Sequence, residues 1–409
     1  MSTRLRATVK KAGFLFVLVL LLVPSASTLL VGADDPEGSY FHIRTAILGD
    51  GRAITESVIS GPPDPPPGYP RPPARLPDRD ASAGINVLSD VPAYNWSFGC
   101  SATSAAMIAG YYDRTGYADM YTGPTNGGVG PLDNSSWPDW QDSSGAWRHQ
   151  CPLSATHMGL DGRTIRGHVD DYWVEYGDPG PDPFIGNWPE HTYGDCAGDY
   201  MKTNQSSHGN ADGSTTIYTL YNGSALHWDD METYGIADED GGYGLKLFYE
   251  SRGYTVTEMY NQCVLGYAHP ARGFTYEQYK AEIDAGRPVM IHLEGHTMVG
   301  VGYDDSGDLM YVHDTWDYAV HTMTWGGTYV GMRHYAVTIA QLAPLTVPLV
   351  APSDLAAAAV GADQIDLTWT DNSADETAFH VERSPNGTTA WAEVATVPAG
   401  ATSYSDAAL

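Results

Sequence analysis

The 409-residue sequence predicts an α+β fold, on the strength of two features that lie far apart in the chain. A run of small and apolar residues with helical spacing, "SATSAAMIAGYYDR", follows Cys100. Segments typical of antiparallel strands, "PVMIHLE", "HTMVGVGYD" and "LMYVHD", lie about 200 residues further on. Because helix and strands are segregated along the chain, the pattern favours an α+β fold over a doubly wound parallel sheet.

Residues 1–33 have the layout of a secretory signal peptide. Basic residues precede the apolar run Phe14–Val23, and the small residues of "PSAST" follow it. An uncleaved membrane anchor is the alternative, which Pro24 and the polar residues after it disfavour. The sequence therefore predicts a secreted, extracellular protein, free or associated with a cell surface.

The chain is strongly acidic, with 21 Lys+Arg against 50 Asp+Glu and a net charge of −29. Residues 1–33 carry four of the cations and no anion, so without them the net charge is −33. A surface of this sign repels phosphate backbones and anionic lipid, which excludes nucleic acid and membranes as expected partners.

Composition divides the rest of the chain. Residues 34–82 form an N-terminal segment whose second part, "GPPDPPPGYPRPPARLPDR", holds nine prolines and is typical of an extended polyproline linker. A compact domain is expected over residues 83–341, a linker over 342–350 and a second module over 351–409. The sequence leaves open whether residues 34–82 act as a pro-segment.

Three more helices are predicted inside the larger domain. "TIRGHVDDYWVEYG" and "GGYGLKLFYESRGY" have helical spacing within about residues 115–265, a region otherwise rich in turn residues. The third helix begins at Thr275, where Gln278 contributes to an N-terminal capping pattern, and ends at Gly286.

Residues 351–409 alternate apolar and polar side chains between turn signals, which indicates a small β-sandwich. They resemble a fibronectin type III module, with Trp369 of "IDLTWTDN" at the position of the core tryptophan on the second strand. The resemblance ends at "TSYSDAAL", before the last two strands of such a module, so an incomplete module is expected. Its expected role is contact with a cell surface or a polymer.

Four cysteines stand in the chain, at positions 100, 151, 196 and 263. Export would permit disulfides, and if Cys100 stays free at most one intramolecular bridge can form. Cys151–Cys196 is the favoured pair because both lie in the same turn-rich region, although the pairing among Cys151, Cys196 and Cys263 stays open.

Cys100 stands where a helix is expected to begin, with Ser101 or Thr103 as the capping residue. The dipole and the unpaired amides of a helix N-terminus favour a thiolate, which is the nucleophilic form of cysteine. The alternative is a structural thiol, since free cysteine is among the most buried residue types.

A base for such a nucleophile is suggested by the predicted strands. His296 in "EGHTMVGVGYDD" begins a buried type of strand directly after a glycine. Asp314 in "HDTW" follows the next strand, and the hairpin would bring the two positions level, so that the carboxylate could orient the imidazole. A buried sheet histidine and a turn aspartate are the structural alternative.

Taken together, "VPAYNWSFGCSATSAAMIAGYYD", "FTYEQYKAEIDAGRPVMIHLEGHTMVGVGYDD" and "YVHDTW" resemble papain-like cysteine peptidases of the bacteriocin double-glycine leader peptidase type, in their soluble, extracellular branch. The resemblance covers about residues 88–340 and implies a papain-like α+β fold with a triad of Cys100, His296 and Asp314. Residues 115–265 are a long insertion relative to the family pattern, expected to shape the substrate cleft. The predicted function is that of a secreted cysteine endopeptidase acting on a peptide or protein.

The sequence departs from this family pattern where an oxyanion-hole glutamine is expected, some six residues before the cysteine. Tyr94, Asn95 and Trp96 occupy that stretch, and Asn95 is the predicted oxyanion donor, together with the backbone N–H of Cys100. The missing glutamine leaves open a catalytically inactive papain-like domain that serves as an extracellular binding or adhesion module. A related acyl-transfer or amidase reaction on the same triad also stays open.

No cofactor and no metal is expected. "DDSGD" (Asp304–Asp308) lacks the spacing of an EF-hand loop, and "GHVDDYW" supplies only two ligands, His168 and Asp171. The phosphate-binding pattern G-x-x-x-x-G-K-[ST] does not occur, so no ATP-driven transporter is expected within this sequence.

Overall fold

The structure is a computed structural model that describes most of the chain. It covers residues 40–75, 84–121, 129–137, 139–141, 145–157, 171–172, 196–205, 208–344, 351–361, 363–373, 378–385 and 392–407. The predicted signal peptide lies outside these residues, as does the predicted helix "TIRGHVDDYWVEYG" except for Asp171–Tyr172. These two residues form a short β-strand, so the helix prediction is wrong at this point. Of the helices in these ranges, none combines the length and the apolarity that crossing a membrane requires.

The chain divides into two compact units, with the boundary between Ala343 and Pro344, inside the predicted linker. The helices belong to the larger unit: α1 (Cys100–Arg114), α2 (Ala197–Tyr200), α3 (Trp228–Tyr234), α4 (Gly241–Ser251) and α5 (Tyr276–Asp284), with 3-10 turns at Asn134–Ser136 and Ala237–Glu239. The helices α1 and α4, predicted from helical spacing, and α5, predicted from its capping residues, are confirmed.

The strands of the larger unit are β1 (Phe41–Ile47), β2 (Ala53–Ile59), β3 (Ile85–Val87), β4 (Asp139–Gln141), β5 (Trp147–His149), β6 (Thr156–His157), β7 (Asp171–Tyr172), β8 (Thr215–Leu220), β9 (Leu226–His227), β10 (Val256–Cys263), β11 (Val289–Leu293), β12 (His296–Asp304), β13 (Leu309–His313), β14 (His321–Thr324), β15 (Thr328–Tyr329) and β16 (Met332–Leu342). Those of the smaller unit are β17 (Ser353–Ala359), β18 (Ile365–Thr370), β19 (Ala378–Arg383), β20 (Ala392–Pro398) and β21 (Ser403–Asp406). The three strands predicted between residues 288 and 314 are confirmed as β11, β12 and β13.

The larger unit is organised around one sheet with the strand order β14-β13-β12-β11-β16-β10-β9, to which β3 adds at β12 and β15 at β16. The strands β11, β12, β13 and β16 pair in antiparallel fashion. Both faces of this sheet are covered, which explains why β11 and β12 are almost continuously apolar. Met290 and Val299 pack in the core cluster that contains α1, whereas their neighbours Ile291 and Met298 pack in the cluster that contains α5.

Helix α1 lies against β12, and its sequence explains how closely it does so. Every residue from Cys100 to Asp113 is buried, and the alanines of the helix leave room for the strand. Ser104 Oγ donates a hydrogen bond to the carbonyl of Thr297 at the start of β12 (3.1 Å). The first turn of α1 is therefore tied to the first residues of β12, which sets the geometry of the site.

On the opposite face of the sheet, helix α5 packs against β12, and the N-terminus of this helix is capped. The Thr275 hydroxyl accepts from the Gln278 N–H, and the Gln278 side chain accepts from the Thr275 N–H, which completes the predicted capping box. Tyr279 then lies flat against Gly300 and donates its hydroxyl to the carbonyl of Gly302 (2.7 Å).

A second sheet, β1-β2-β8, brings the N-terminal residues onto the larger unit. β2 pairs with β8 along its whole length, from Ile54 opposite Leu220 to Ile59 opposite Thr215. The buried positions of β2 are Ile54, Ser57 and Ile59, and the two isoleucines pack in core clusters of the larger unit. The sequence assigned residues 34–82 to a segment and a linker that precede the compact domain. The strands β1 and β2 of this segment instead pack against that domain.

All four cysteines are buried, and none of them forms a disulfide. The predicted Cys151–Cys196 disulfide is therefore wrong. The segments do meet, because Ala197 N donates to the carbonyl of Leu153 (2.8 Å). Contact between two segments does not set the Cβ separation that a disulfide requires, and sequence proximity could not supply that information.

The smaller unit consists of the sheet β17-β18-β21 and the hairpin β19-β20. Trp369 stands on β18, the second strand of the unit, and is 9% exposed. Its ring centroid lies 5.5 Å from that of Phe379 on β19, so the two sheets share a core.

Candidate active site

The N-terminus of α1 carries Cys100, and a glycine determines how the chain enters the helix. Gly99 has a φ of +137°, and a side chain there would meet the carbonyl of Gly213 and Thr203 Cγ2, both at 2.6 Å. Only glycine fits this close approach, which places Cys100 at the first helical position.

The helix start has no side-chain cap, so the prediction that Ser101 or Thr103 caps it is wrong. Both residues lie within the helix: the Ser101 hydroxyl bonds the Thr297 hydroxyl (2.9 Å), and Thr103 Oγ1 donates to the carbonyl of Gly99 (2.7 Å). The amides of the first turn are therefore not held by a capping side chain.

The thiol of Cys100 is fully buried and faces the start of β12. Its Sγ accepts the backbone N–H of Thr297 (3.2 Å) and lies 4.0 Å from the Ser101 hydroxyl. Both contacts favour the thiolate, yet burial outweighs them and raises the pKa of Cys100 to about 11. In this state the sulfur is a neutral thiol at neutral pH.

His296 begins β12 and is also fully buried. Its Nε2 lies 2.8 Å from the backbone carbonyl of Asp314. A carbonyl can only accept, so Nε2 carries the proton and Nδ1 is the basic nitrogen of the neutral ring. Trp316 stacks on the imidazole with 4.0 Å between ring centroids, and burial lowers the pKa of His296 to about 4.

Nδ1 of His296 has no hydrogen-bond partner within the described chain, although it is buried. It borders the same point as the Cys100 sulfur, because a Cβ placed on Gly61 would contact that sulfur and lie 3.3 Å from Nδ1. The basic nitrogen and the thiol thus flank one small space above the helix terminus.

Asp314 meets His296 through its backbone, whereas its carboxylate points elsewhere. Oδ2 accepts from Arg71 Nε (2.6 Å) and from the Tyr329 hydroxyl (2.7 Å), and Oδ1 accepts from Arg71 Nη2 (2.8 Å). The expected carboxylate–imidazole contact is therefore replaced by a carbonyl–imidazole contact. The reason is electrostatic, since a fully buried carboxylate is paired with a guanidinium where one is within reach.

Among the described residues, Asn95, the predicted oxyanion donor, has no hydrogen bond with Cys100 or His296. Its side chain bonds Tyr318, while its backbone N–H and carbonyl are held by the side chain of Asn134. The next residue, Trp96, packs in the core cluster that contains Cys100 and donates its indole N–H to the carbonyl of Gly61 (3.0 Å). The indole N–H of Trp96 therefore bonds the residue that borders both the thiol and the imidazole.

A group of metal-ligand types also lies beside the site, although no metal was expected. Single ligand atoms of Asp314, Asp317 and His321 lie within 4.8 Å of one another. The guanidinium of Arg71 already binds all three, with Nη2 at 2.8 Å from both Asp317 Oδ2 and His321 Nε2. The "DDSGD" segment forms a hairpin turn in which Asp304 Oδ1 accepts from the Ser306 N–H (2.8 Å).

Sequence patterns pointed to Cys100 and His296, and they missed the residues that complete the site. Trp96 and Trp316 stood inside the quoted motifs "YNW" and "HDTW", where an aromatic next to the candidate residues was the available signal. Gly61 and Arg71 lie in a proline-rich segment, and no local pattern in it predicts a contact with residues 100 or 314.

Residues 203–336 match the model of a family described as the Peptidase_C39 like family. The matched range contains His296 and Asp314, whereas α1 and Cys100 precede it. The match supports a C39-like cysteine peptidase domain, within an architecture of mixed helix and sheet. No curated protein and no solved structure gave a significant match.

Proposed function

We propose that this protein is a secreted cysteine endopeptidase in which Cys100 is the nucleophile and His296 the general base. The observation that carries the proposal is the position of the two ring nitrogens of His296. Its Nε2–H is committed to the carbonyl of Asp314, so its lone pair stands at Nδ1, on the side of the Cys100 sulfur. Nδ1 has no hydrogen-bond partner within the described chain, so its lone pair is available to accept the thiol proton.

The reaction follows from these positions. The Cys100 thiol transfers its proton to Nδ1 of His296 as the sulfur attacks the carbonyl carbon of a peptide bond. The C–N bond then breaks, and the leaving amine takes the proton from Nδ1. Water next gives a proton to Nδ1 and attacks the thioester, which releases the acid and returns the proton to the sulfur.

Trp96 is the proposed side-chain donor of the oxyanion hole, in place of Asn95. Its indole N–H already holds a peptide carbonyl, that of Gly61, beside Cys100. The backbone N–H of Cys100 is the second donor, at the uncapped terminus of α1. Asp314 positions His296 through its carbonyl and anchors the turn that carries Trp316, because its Oδ1 accepts the Trp316 N–H (3.2 Å).

Secretion and the role of the smaller unit also belong to this proposal. The basis for secretion is the layout of residues 1–33. The smaller unit, with its fibronectin-like strand pattern, would hold the enzyme on a cell surface or a polymer.

The test uses as its parent the chain opened by Arg71→Ala, as described in the next subsection, and compares it with the same chain carrying Cys100→Ala or, as a matched control, Cys263→Ala, which removes a second buried thiol. We expect Cys100→Ala to abolish cleavage of a peptide library, a loss of more than about 10³-fold, because no other group supplies the nucleophile. Cys263→Ala should retain the activity of the parent chain. Equal cleavage by the parent and Cys100→Ala would refute the peptidase assignment.

A catalytically silent binding module is the second candidate, favoured by one observation. The buried pair holds a thiol with a raised pKa and an imidazole with a lowered pKa, so the covered site contains no thiolate–imidazolium pair. This candidate predicts that Cys100 fails to react with a peptide-based thiol probe even when the site is opened by the variants described next.

A further inference from the structure

Residues 60–75, here called the covering segment, leave β2 and cross the mouth of the site. Its start is fixed, because β2 is paired with β8 up to Ile59 and the Ser60 N–H donates to the carbonyl of Tyr40 (2.9 Å). The next residue, Gly61, has a φ of +43° and is buried. The covering segment therefore enters the site from a rigid strand.

Gly61 occupies the space between the thiol and the imidazole. A Cβ at this position would collide with Cys100 Sγ, lie 2.7 Å from Cys100 Cβ and lie 3.3 Å from His296 Nδ1. Cys100 and His296 are both without solvent exposure in this arrangement. No peptide can reach the sulfur while Gly61 is in place.

The site holds this segment by its backbone, as it would hold a bound peptide. The Trp96 indole donates to the Gly61 carbonyl (3.0 Å), and the Trp316 indole donates to the carbonyl of Pro62 (2.9 Å). Two consecutive carbonyls are thus bound by indoles on either side of the Cys100–His296 pair. Neither contact depends on the side chains of the segment.

Arg71 supplies the side-chain anchor. It forms a two-point ion pair with the fully buried carboxylate of Asp314, and its Nη2 also lies 2.8 Å from Asp317 Oδ2. The Arg71 side chain is 22% exposed, so its guanidinium sits inside the unit. Together with His321, the two carboxylates form a pocket that fits a planar guanidinium better than an ammonium.

Further contacts hold the rest of the segment. The carbonyl of Pro72 accepts from His321 Nδ1 (2.7 Å), and the Arg75 N–H donates to the carbonyl of Val320 (2.9 Å). Asp64 pairs with Arg148 (3.0 Å). The covering segment is therefore attached along its length, from Ser60 to Arg75. It makes these contacts although it lies in a stretch with nine prolines, which have no backbone N–H to donate.

We propose that the covering segment is an intramolecular inhibitor that occupies the peptide-binding cleft, and that Asp314, Asp317 and His321 form a guanidinium-binding pocket that holds it through Arg71. This proposal rests on the proposed function, which identifies the space beside Cys100 and His296 as a peptide-binding cleft. Withdrawal of Arg71 leaves the buried carboxylate of Asp314 uncompensated, which is costly. Opening of the site therefore requires another cation beside Asp314 in place of Arg71. A peptide that places an arginine in the pocket would open the site.

The experiment measures the rate at which iodoacetamide alkylates Cys100 in the full chain, by mass spectrometry of the modified peptide. The variants Arg71→Ala and Gly61→Ala act differently: the first removes the anchor, and the second places a Cβ where only displacement of the segment can accommodate it. We expect both to raise the Cys100 rate at least about tenfold, which corresponds to ~1.4 kcal/mol. Arg44→Ala, which breaks the Arg44–Glu56 pair on the neighbouring sheet, is the matched control and should leave the rate unchanged.

The other three thiols report whether the fold survives. They are buried outside the covered site, so selective reaction of Cys100 supports the proposal, and unchanged Cys100 rates in both folded variants overturn it. If Arg71→Ala exposes all four thiols, the unaltered chain decides: N-acetylarginine amide should accelerate Cys100 alkylation and N-acetyllysine amide should not. No acceleration by the arginine compound would then refute the pocket.

A peptide of residues 58–75 added to Arg71→Ala provides the converse measurement. It should slow Cys100 alkylation again, whereas the same peptide with Ala at position 71 should not, and equal effects of the two peptides would count against the anchor. Peptidase assays on the same variants separate the two claims. A reactive Cys100 without peptide hydrolysis would leave the covering segment established and the peptidase function refuted.

Discussion

Cys100 and His296 are both held in their neutral forms by burial. Burial raises the pKa of the Cys100 thiol to about 11 and lowers the pKa of the His296 imidazole to about 4. Two contacts oppose burial: the hydrogen bond from the Thr297 N–H lowers the pKa of Cys100, and the carbonyl of Asp314 raises the pKa of His296. Neither contact outweighs the loss of water around its group. The same two contacts would favour an ion pair once solvent or substrate replaced Gly61.

The pH dependence of Cys100 alkylation is therefore expected to change when the site opens. In the unaltered chain the rate should keep rising with pH towards about 11, because the reactive thiolate forms only there. In Gly61→Ala, water reaches the sulfur, the desolvation penalty falls and the midpoint should move to lower pH. The measurement is the rate against pH for Cys100, with Cys263 as the internal control, whose pKa is also raised by burial and should not move.

Trp96 and Asn95 make a matched pair for testing the oxyanion hole. Trp96→Phe keeps an aromatic ring and removes the N–H, so kcat should fall roughly 10²–10³-fold with little change in KM. Asn95→Ala removes an amide that bonds Tyr318, and its kcat should stay near that of the parent chain. Steady-state kinetics on an opened variant measure both, and a larger loss from Asn95→Ala would return the role to the amide.

At the scale of elements, the site depends on helix α1 and strand β12 being clamped together. Ser101 and Ser104 of α1 both bond Thr297 of β12, and Thr297 in turn donates its N–H to the Cys100 sulfur. Helix α5 supports β12 from the other face through Tyr279. The small residues of α1 and Gly300 of β12 are what permit these close approaches.

The capping box of α5 should contribute to stability without touching the site. Thr275→Ala removes one half of the box and leaves a first-turn N–H without its side-chain acceptor. The expected loss is about 1 kcal/mol in the free energy of unfolding, measured by denaturant titration of the larger unit. The control is Thr328→Ala, at an exposed position on β15, which should change the unfolding free energy by less than about 0.5 kcal/mol.

Four buried histidines among the described residues of the larger unit have pKa values that are lowered by burial. The pKa falls from an ordinary 6.5 to about 3 for His292 and His334, and to about 4 for His296 and His313. Each is neutral in the folded chain and takes up a proton on unfolding below about pH 6.5. Their contribution to stability is complete above that pH and is lost as the pH falls towards 4.

Acid should therefore destabilise the larger unit by proton uptake on unfolding. Each such histidine adds a slope of up to about 1.4 kcal/mol per pH unit between roughly pH 6 and pH 4.5. His334→Asn keeps an acceptor for the Gly326 N–H and cannot titrate. The chain with this substitution should therefore take up about one proton fewer when it unfolds. Unfolding free energies across this pH range test it, with the exposed His380→Asn of the smaller unit as control. An unchanged slope in His334→Asn would contradict a neutral buried ring.

The sequence by itself determined the local elements and the candidates they carry. Helical spacing after Cys100, the capping pattern at Thr275 and the strand pattern beginning at His296 depend on neighbours a few residues apart, and all three recur in the structure. Capping of α1 could not be predicted in the same way, because the start of that helix depends on the close approach of Gly99 to Gly213.

Only the tertiary structure decided what those candidates contact. The carboxylate of Asp314 turns to Arg71 instead of His296, the indole of Trp96 bonds the carbonyl of Gly61, and Gly61 closes the space above the thiol. Each of these contacts joins residues that lie far apart in the chain or depends on a choice of rotamer. Such choices are set by which buried charges and donors find partners when the whole chain packs, and no local pattern encodes them.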